Sequence, residues 1–360
     1  MKILTVIGAR PQFIKASVVS AAIKNTTGLS EEIIHTGQHF DANMSNIFFD
    51  QLGIPKPHYQ LDINSGSHGA MTGRMLEAIE KICLESKPDR LMVYGDTNST
   101  LAGALAASKL HIPVAHIEAG LRSFNMRMPE EINRILTDQV SDILFCPTET
   151  AVKNLKNEGF DQKPVQVLNV GDVMQDSSMF FAERALKGEA LKDVPESNFI
   201  VATLHRAENT DDPIRLKAIV DALNYIHQHI LPVVLPLHPR TQKVVKSLGL
   251  KLEMQVLEPV GYLEMIWLLK HCNAVVSDSG GVQKEAFFFK KPCITMRDQT
   301  EWVELIENGV NVLAGADTQK IIEFTQSMLG KEILDPLNLY GGGEASNKIV
   351  KFLATMHKVV

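Results

Sequence analysis

The chain has 360 residues, of which 45% are hydrophobic and 22% charged, with a formal net charge of −6. This length predicts two domains, because a single hydrophobic core rarely serves so long a chain. The acidic balance and the absence of lysine and arginine runs argue against a nucleic-acid partner. The apolar start Met1–Ile7 ends at a glycine. We therefore expect neither a signal peptide nor a membrane span.

Short β-branched runs alternate with helical patterns along the chain, and the polar segment Ala182–Asn198 divides the runs into two series. Continuous apolar strands alternating with helices predict an α/β fold with parallel sheets covered on both faces. The first series of predicted strands is Ile3–Ile7, Glu32–His35, Arg90–Tyr94, Val114–Ile117, Ile143–Cys146 and Val165–Asn169. The second series is Phe199–Leu204, Pro232–Leu237, Met254–Leu257, Ala274–Ser277 and Pro292–Met296.

Polar side chains follow seven of these strands, in both halves of the chain. Ligand crevices in open α/β sheets lie outside the carboxyl ends of the strands. One such cluster is ordinary loop chemistry, whereas seven together predict an enzyme with a cleft between two domains. The segments are Gly8–Arg10, His35–His39, Gly95–Thr97, Glu118–Gly120, His205–Arg206, His238–Arg240 and Asp278–Gly280.

The segment Asp278–Glu285 joins an apolar strand to a helical pattern through two glycines. Free N–H groups at a helix start, with no side chains to block approach, form an anion site. Glu285 follows one turn later, where a carboxylate suits two sugar hydroxyls. This arrangement favours a nucleotide diphosphate joined to a sugar, although an ordinary capped turn reads the same way.

Two further helix starts carry charged residues. Arg10 precedes a proline at a predicted helix start, and Lys15 follows about one turn later. Either both cations lie near a diphosphate, or Arg10 is a surface cap and Lys15 a solvated lysine. Glu130 and Arg134 stand four residues apart, so we expect them on one helix face. They either orient a carboxylate in a site or form a plain surface ion pair.

Several common motifs are missing. We find no GxGxxG after any strand, no GxxxxGK[ST] and no HExxH, so no cofactor and no metal are expected. The four cysteines form no CxxC pair, and a reducing cytoplasm fits them. What remains is an acid–base set beside a phosphate site. Its carboxylates are Asp96, Glu118, Glu130 and Glu131, with Arg10, Lys15 and Arg134 as cations.

Five motifs occur in order and at separations that resemble the non-hydrolysing bacterial UDP-N-acetylglucosamine 2-epimerases. They are Ile7–Pro11, Gly95–Thr97, Glu118–Arg122, Pro129–Arg134 and Asp278–Gly281. The resemblance implies two Rossmann-like domains similar to the GT-B glycosyltransferases, at residues 1–172 and 173–344. It also implies a last helix at 345–360 that packs on the first domain, a UDP-sugar substrate and a homodimer.

Three departures from the main epimerase pattern point to a sub-branch: Tyr94 before Gly95–Asp96, Trp302-Val303 after Glu301, and Gly341–Gly343 after Tyr340. The combination resembles the branch that inverts C2 of UDP-2,3-diacetamido-2,3-dideoxy-glucuronate to give the mannuronate isomer. That reaction supplies a precursor for lipopolysaccharide O-antigen. The resemblance therefore implies an isomerase with this substrate, and UDP-N-acetylglucosamine is the alternative.

The chemistry constrains the residue roles. The C2 proton of a 2-acetamido sugar is not adjacent to a carbonyl, so a base cannot remove it unaided. The resemblance to the family implies a scheme in which UDP leaves from C1 as the C2 proton departs. UDP then re-adds to the glycal with reprotonation on the other face. We assign proton transfer to Asp96, Glu118 and Glu130, and stabilisation of the departing diphosphate to His205. The other residues expected to bind the substrate are Arg10, Lys15, Arg134, His238, Ser279, Gly280, Gly281 and Glu285.

A uronate substrate adds a carboxylate, and Arg127 and Arg297 are the cations nearest in sequence to the predicted site. Three other functions stay open. A GT-B glycosyltransferase transfers sugar only when an acceptor is supplied. A UDP-sugar sensor binds without turnover and gains nothing from Asp96 and Glu118. A hydrolysing epimerase releases UDP and free sugar.

Overall fold

The computed structural model describes residues 1–38, 56–335 and 337–356, and the chain forms two compact units. The first unit contains Met1–Ser177 and Asn338–Val360, and the second contains Ser178–Leu337. The domain limits at residues 172 and 344 stay a prediction. His39 of the polar segments and residues 357–360 of the expected last helix lie outside the described residues.

The first unit is built on a sheet of seven parallel strands in the order β3-β2-β1-β4-β5-β6-β7. Parallel strands of this kind are buried on both faces, which explains their continuous apolar sequence. The strands are β1 Lys2–Ile7, β2 Ser30–His35, β3 Tyr59–Gln60, β4 Arg90–Tyr94, β5 Val114–Ile117, β6 Ile143–Cys146 and β7 Gln166–Asn169.

Helices follow most of these strands. The last helix of the chain, Ala345–Met356, also belongs to the first unit and packs on the first helix. Asp176 accepts hydrogen bonds from the amides of Ala345 (3.1 Å) and Ser346 (2.7 Å) and so caps its start. The preceding helices are α1 Arg10–Lys24, α2 His68–Ser86, α3 Asn98–Lys109, α4 Pro129–Val140, α5 Glu149–Asn157 and α6 Val173–Ala182, the last ending in the second unit.

The second unit is built on six parallel strands in the order β10-β9-β8-β11-β12-β13. These strands are β8 Ile200–Thr203, β9 Val233–Pro236, β10 Gln255–Leu257, β11 Ala274–Ser277, β12 Cys293–Thr295 and β13 Asn311–Leu313. The helices are α7 Ala207–Thr210, α8 Pro213–His229, α9 Pro239–Ser247, α10 Tyr262–His271, α11 Gly280–Phe288, α12 Val303–Glu307 and α13 Thr318–Met328. Within the described residues no helix is both long and apolar enough to span a membrane.

All eleven predicted strands are present, and the sequence analysis missed two others. The missed strands, β3 and β13, have two and three residues and lie at sheet edges. Runs this short show little periodicity in the sequence, and they are strands only because they hydrogen-bond to a neighbouring strand. The prediction of an α/β fold with two parallel sheets is confirmed.

Candidate active site

Both sheets reverse the direction of their strand order once, and four of the predicted segments follow the strands on either side of these reversals. In the first unit β1 lies between β2 and β4, and in the second unit β8 lies between β9 and β11. Ligands of open α/β sheets bind at such switch points. The segments Gly8–Arg10 and Gly95–Thr97 flank the first reversal, and His205–Arg206 and Asp278–Gly281 flank the second.

Gln12 joins the two turns at the first reversal. Its side-chain oxygen accepts from the amides of Gly8 (2.8 Å) and Ala9 (3.0 Å). Its side-chain nitrogen donates to the carbonyl of Tyr94 (2.8 Å) and the hydroxyl of Thr97 (3.0 Å). The sequence pattern predicted no role for this buried amide. The available signal was a glutamine directly after the Arg-Pro pair, at the third position of the helix.

Lys15 and Glu118 form a buried ion pair. The two residues are 8% and 9% exposed. Gly95 lies against them, because a Cβ at that position would be 3.2 Å from the Glu118 carboxylate and 3.7 Å from the Lys15 ammonium. Glu118 itself has a φ of 70°, in the region that side chains rarely adopt. A cation and a carboxylate therefore stand at the end of β5 with little water.

Asp96 lies half-buried at the end of β4 and pairs with Arg134 of α4. The Arg134 Nε donates to its carboxylate at 3.2 Å. Loss of hydration raises the pKa of Asp96, the Arg134 charge lowers it, and the Glu118 carboxylate raises it again, so that the pKa lies above the ordinary value. Two mutually repelling carboxylates, Asp96 and Glu118, therefore lie beside two cations, an arrangement that is common where pKa values are shifted.

The predicted pairing of Glu130 with Arg134 is wrong. Glu130 is exposed, and the Arg134 guanidinium instead contacts Glu131 at 2.8 Å, three residues away. Glu131 is buried and also accepts from the Ser123 amide (2.9 Å) and the Phe124 amide (2.8 Å). Arg134 thus turns toward the carboxylate that holds the 123–124 loop and toward Asp96. Both i,i+3 and i,i+4 spacings place residues on one face, and the sequence alone did not separate them.

The remaining first-unit residues of interest occupy different environments. Arg10 is half-buried at the start of α1, as the helix-start reasoning predicts. Arg127 is exposed in the loop before α4. Tyr94 is fully buried at the end of β4, and among the described residues its hydroxyl has no hydrogen-bond partner. Burial raises the pKa of that phenol. Tyr94 is therefore a core side chain beside the Asp96 turn.

Asp278 organises the second unit's site. It is fully buried and accepts from the backbone amides of His205 (3.0 Å) and Arg206 (2.9 Å) and from Nδ1 of His205 (3.0 Å). Burial would raise the pKa of Asp278, but the His205 side chain and the two amides lower it below the ordinary value. The carboxylate fixes the exposed His205 ring. Asp278 stands in one of the motifs, but its place in the sequence did not predict this role.

The glycine turn begins α11 as predicted. Ser279 caps the helix by accepting from the Val282 amide at 3.5 Å. A Cβ at Gly280 would collide with the Glu301 carboxylate, whereas a Cβ at Gly281 meets no atom within 4 Å. A side chain at Gly280 would displace the end of the Glu301 side chain, whereas the space beside Gly281 is open. Glu285 is buried one turn further along.

Trp302, one of the departures from the main epimerase pattern, packs on this turn. Its indole N–H donates to the Gly280 carbonyl at 2.9 Å, and the Lys284 ammonium lies 3.9 Å from its ring centroid. Trp302 is 5% exposed. The departure therefore lies in direct contact with the predicted diphosphate-binding turn.

A cavity of about 450 Å³ adjoins the turn within the second unit. His205, His238 and Ser279 contribute polar groups to it, and Pro259, Val260 and Met265 contribute apolar wall. A mainly apolar pocket with a few convergent polar groups is the form of a small-molecule site. The structure thus places His205, His238 and Ser279 around one cavity. Arg297 lies elsewhere: it lines a separate cavity of about 420 Å³ and pairs with Glu301 at 2.8 Å.

Comparison with known proteins gives one consistent result. The family model for UDP-N-acetylglucosamine 2-epimerase matches residues 21–354. The chain is 69% identical over 356 residues to the Pseudomonas aeruginosa protein named UDP-2,3-diacetamido-2,3-dideoxy-D-glucuronate 2-epimerase, covering 99% of this chain and 100% of that one.

Solved structures agree. The Methanocaldococcus jannaschii UDP-GlcNAc 2-epimerase, in complex with UDP-GlcNAc and UDP, has a TM-score of 0.86 at 43% identity and covers 99% of this chain and 100% of that one. The Neisseria meningitidis UDP-GlcNAc 2-epimerase, bound to UDP-GlcNAc, has a TM-score of 0.87 at 33% identity with the same coverage. The predicted GT-B-like α/β fold and the predicted resemblance are both confirmed. Because the family model matches residues 21–354 and the relatives cover nearly all of this chain, the chain belongs to the UDP-N-acetylglucosamine 2-epimerase family.

Proposed function

We propose that the protein is an isomerase that inverts C2 of UDP-2,3-diacetamido-2,3-dideoxy-glucuronate to give the mannuronate form. The full-length relative with 69% identity supports this substrate. The observation that carries the chemistry is the cluster of Asp96 and Glu118 with Lys15 and Arg134 at the ends of β4 and β5. Such a set supplies two proton-transfer groups whose charges are held by adjacent cations.

The first unit performs the proton transfer in this proposal. As the anomeric C1–O bond breaks, its electron pair leaves with UDP, and a carboxylate takes the C2 proton to leave a glycal. UDP then re-adds at C1 while a second acid delivers a proton to the other face of C2. Asp96, whose pKa burial raises above the ordinary value, is one of the proposed proton-transfer groups. Glu118 and the exposed Glu130 are the other proposed participants.

The second unit binds the nucleotide in this proposal. The start of α11, with Ser279, Gly280 and Gly281, receives the diphosphate, since a helix N-terminus favours anions. Glu285 holds the ribose. His205, oriented by Asp278, stabilises the charge that develops on departing UDP, and His238 supports it. Arg10 and Lys15, both in the first unit, are the other cations proposed for substrate binding.

The substrate carboxylate needs a cation, and the two predicted candidates differ. Arg297 is buried and paired with Glu301, whereas Arg127 is exposed. We therefore propose Arg127 as the partner of the uronate. Arg127→Gln is expected to raise KM for the glucuronate substrate and to leave UDP affinity unchanged.

UDP-N-acetylglucosamine is the second candidate substrate, because the two structural relatives compared above hold it. A pocket built for a carboxylate and a second acetamido group leaves polar groups unpaired with this simpler sugar, at a cost of about 10⁴ in specificity. The test is NMR of each UDP-sugar incubated with the protein. Clear turnover of the diacetamido-glucuronate and little of UDP-GlcNAc is expected. Equal turnover of both would overturn the substrate assignment and leave the family intact.

Three finer proposals follow from this substrate. We place the protein in synthesis of a lipopolysaccharide O-antigen precursor, which deletion and analysis of surface polysaccharide would test. We place it in the cytoplasm, supported by four buried cysteines that are all unpaired thiols. We also propose a homodimer, which light scattering would test.

A glycosyltransferase from Rickettsia africae shares the fold at 16% identity and a TM-score of 0.60, a likeness that extends to the fold alone.

A further inference from the structure

His116 lies fully buried in β5, two residues before Glu118, and its ring joins two acceptors. Its Nδ1 is 2.7 Å from Oδ1 of Asp138, and its Nε2 is 2.7 Å from the carbonyl oxygen of Gly95. His116 and Asp138 are each 0% exposed. The sequence analysis gave neither residue a role, and neither belongs to the proton-transfer set described above.

The two partners determine where the ring carries protons. A carbonyl oxygen only accepts, so the Nε2 facing Gly95 must be protonated. The other oxygen of Asp138 accepts from the Arg122 guanidinium at 2.8 Å and from the Gly120 amide at 3.2 Å. Arg122 is always charged, and its ion pair with this oxygen favours the carboxylate form of Asp138, whose Oδ1 is then also an acceptor. Both ring nitrogens of His116 therefore donate.

The other charged groups near the ring are compatible with a cationic ring. Arg122 also pairs with Glu158, an exposed carboxylate, at 2.6 Å. Cys146 lies in the same environment, where burial and the Asp138 carboxylate raise the pKa of its thiol, so it stays neutral. A charged ring forms a buried ion pair with Asp138 and finds an acceptor for each of its N–H groups. A neutral ring beside the Asp138 carboxylate would leave one ring nitrogen facing an acceptor with no proton between them, which is costly in a dry interior.

We propose that His116 is a buried imidazolium that fixes the Gly95 carbonyl and thereby positions Asp96 for proton transfer. The carbonyl of Gly95 and the amide of Asp96 share one planar peptide group, so holding the first orients the second. Gly95 has a φ of 62°. Asn133 holds the other side of Asp96 by donating to its carbonyl at 2.9 Å. The positioning role rests on the proposed function of Asp96, whereas the charge of the ring does not.

The direct test is the protonation state of the ring in the wild-type protein. We would label histidine with ¹⁵N and record imidazole nitrogen–proton correlations near pH 7 without substrate. The His116 signals are identified as those missing from His116→Gln. Two protonated nitrogens are expected for His116, and one unprotonated nitrogen would overturn the proposal. Because no substrate is present, this result is independent of whether the protein turns over either UDP-sugar.

Kinetics test the positioning role. His116→Gln should lower kcat about 10²-fold, the loss expected when a catalytic group is misplaced, with KM and UDP affinity within a few-fold. Near-normal kcat would overturn the role. The control is His111→Asn, because His111 is exposed and has a φ of 59°, which asparagine tolerates. His111→Asn should retain wild-type kcat.

Two further variants keep the test decisive if His116→Gln folds poorly. In His116→Gln/Asp138→Asn the buried ion pair is replaced by two neutral amides, which hydrogen-bond each other. We expect it to regain about tenfold of the lost kcat, and no gain over the single variant would contradict the pairing of a charged ring with Asp138. Asp138→Asn alone should lose thermal stability, because its NH₂ group would face another donor. Wild-type stability of Asp138→Asn would mean a neutral His116 and overturn the proposal.

Discussion

Lys15 of α1 and Glu118 at the end of β5 form an ion pair between residues that are each less than a tenth exposed. Removing one partner of such a pair leaves an uncompensated charge in a dry site, at a cost of about 3–5 kcal/mol. We therefore predict that Lys15→Met lowers the free energy of unfolding strongly. Chemical denaturation measures the change.

A matched control exists in the same unit. Lys81 pairs with Glu77 on the exposed face of α2, so Lys81→Met should change stability little. The double variant Lys15→Met/Glu118→Leu should regain stability while remaining inactive. Equal stability of Lys15→Met and the wild type would contradict the buried pair.

The second prediction concerns the two carboxylates. Asp96→Asn and Glu118→Gln should each lower kcat by about 10²–10⁴, the usual loss on removing a general acid or base. UDP affinity, measured by calorimetry, should stay within a few-fold, because the nucleotide site is assigned to the second unit. Glu85→Gln, an exposed carboxylate near the end of α2, serves as the control. Near-normal turnover in both variants would refute the assignment.

The third prediction concerns pH. The Arg134 charge acts to lower the pKa of Asp96, which already lies above its ordinary value because of lost hydration. Removing that charge in Arg134→Gln must raise the pKa of Asp96 further. The limb of the kcat/KM profile that reports Asp96 should therefore move to higher pH, whichever protonation state is active. Lys109→Gln, at the exposed end of α3, should leave the profile unchanged. A limb that moves to lower pH would contradict the pairing.

The fourth prediction tests the anion site at the start of α11. Gly281→Val should weaken UDP binding severely, because the new side chain fills the open space at the helix start without clashing inside the protein. Gly280 is a poorer test, since a side chain there collides with Glu301 whether or not an anion binds. Gly69→Val is the matched control, at the first turn of α2 in equally open space. Unchanged UDP affinity in Gly281→Val would move the diphosphate elsewhere.

The sequence patterns predicted the fold and the polar residues at the strand ends for a physical reason. Buried parallel strands need continuous apolar runs, and polar residues at their ends stand out against these. The patterns could not predict contacts between side chains that are distant in the sequence. Asp138 meets His116 only because α4 packs beside β5, and Asp278 meets the His205 amide only because β8 and β11 are neighbours. Arg134 likewise pairs with Glu131 rather than Glu130 because its guanidinium also pairs with Asp96, which is distant in the sequence.

The central claim is that C2 is inverted by elimination and re-addition of UDP on a diacetamido-glucuronate. The most direct measurement is NMR of UDP-2,3-diacetamido-2,3-dideoxy-glucuronate incubated with the wild-type protein in D₂O. The account predicts a mannuronate product with deuterium at C2 and, on prolonged reaction, release of UDP with the corresponding glycal. A mannuronate product that retains hydrogen at C2, or recovery of the substrate unchanged, would contradict it.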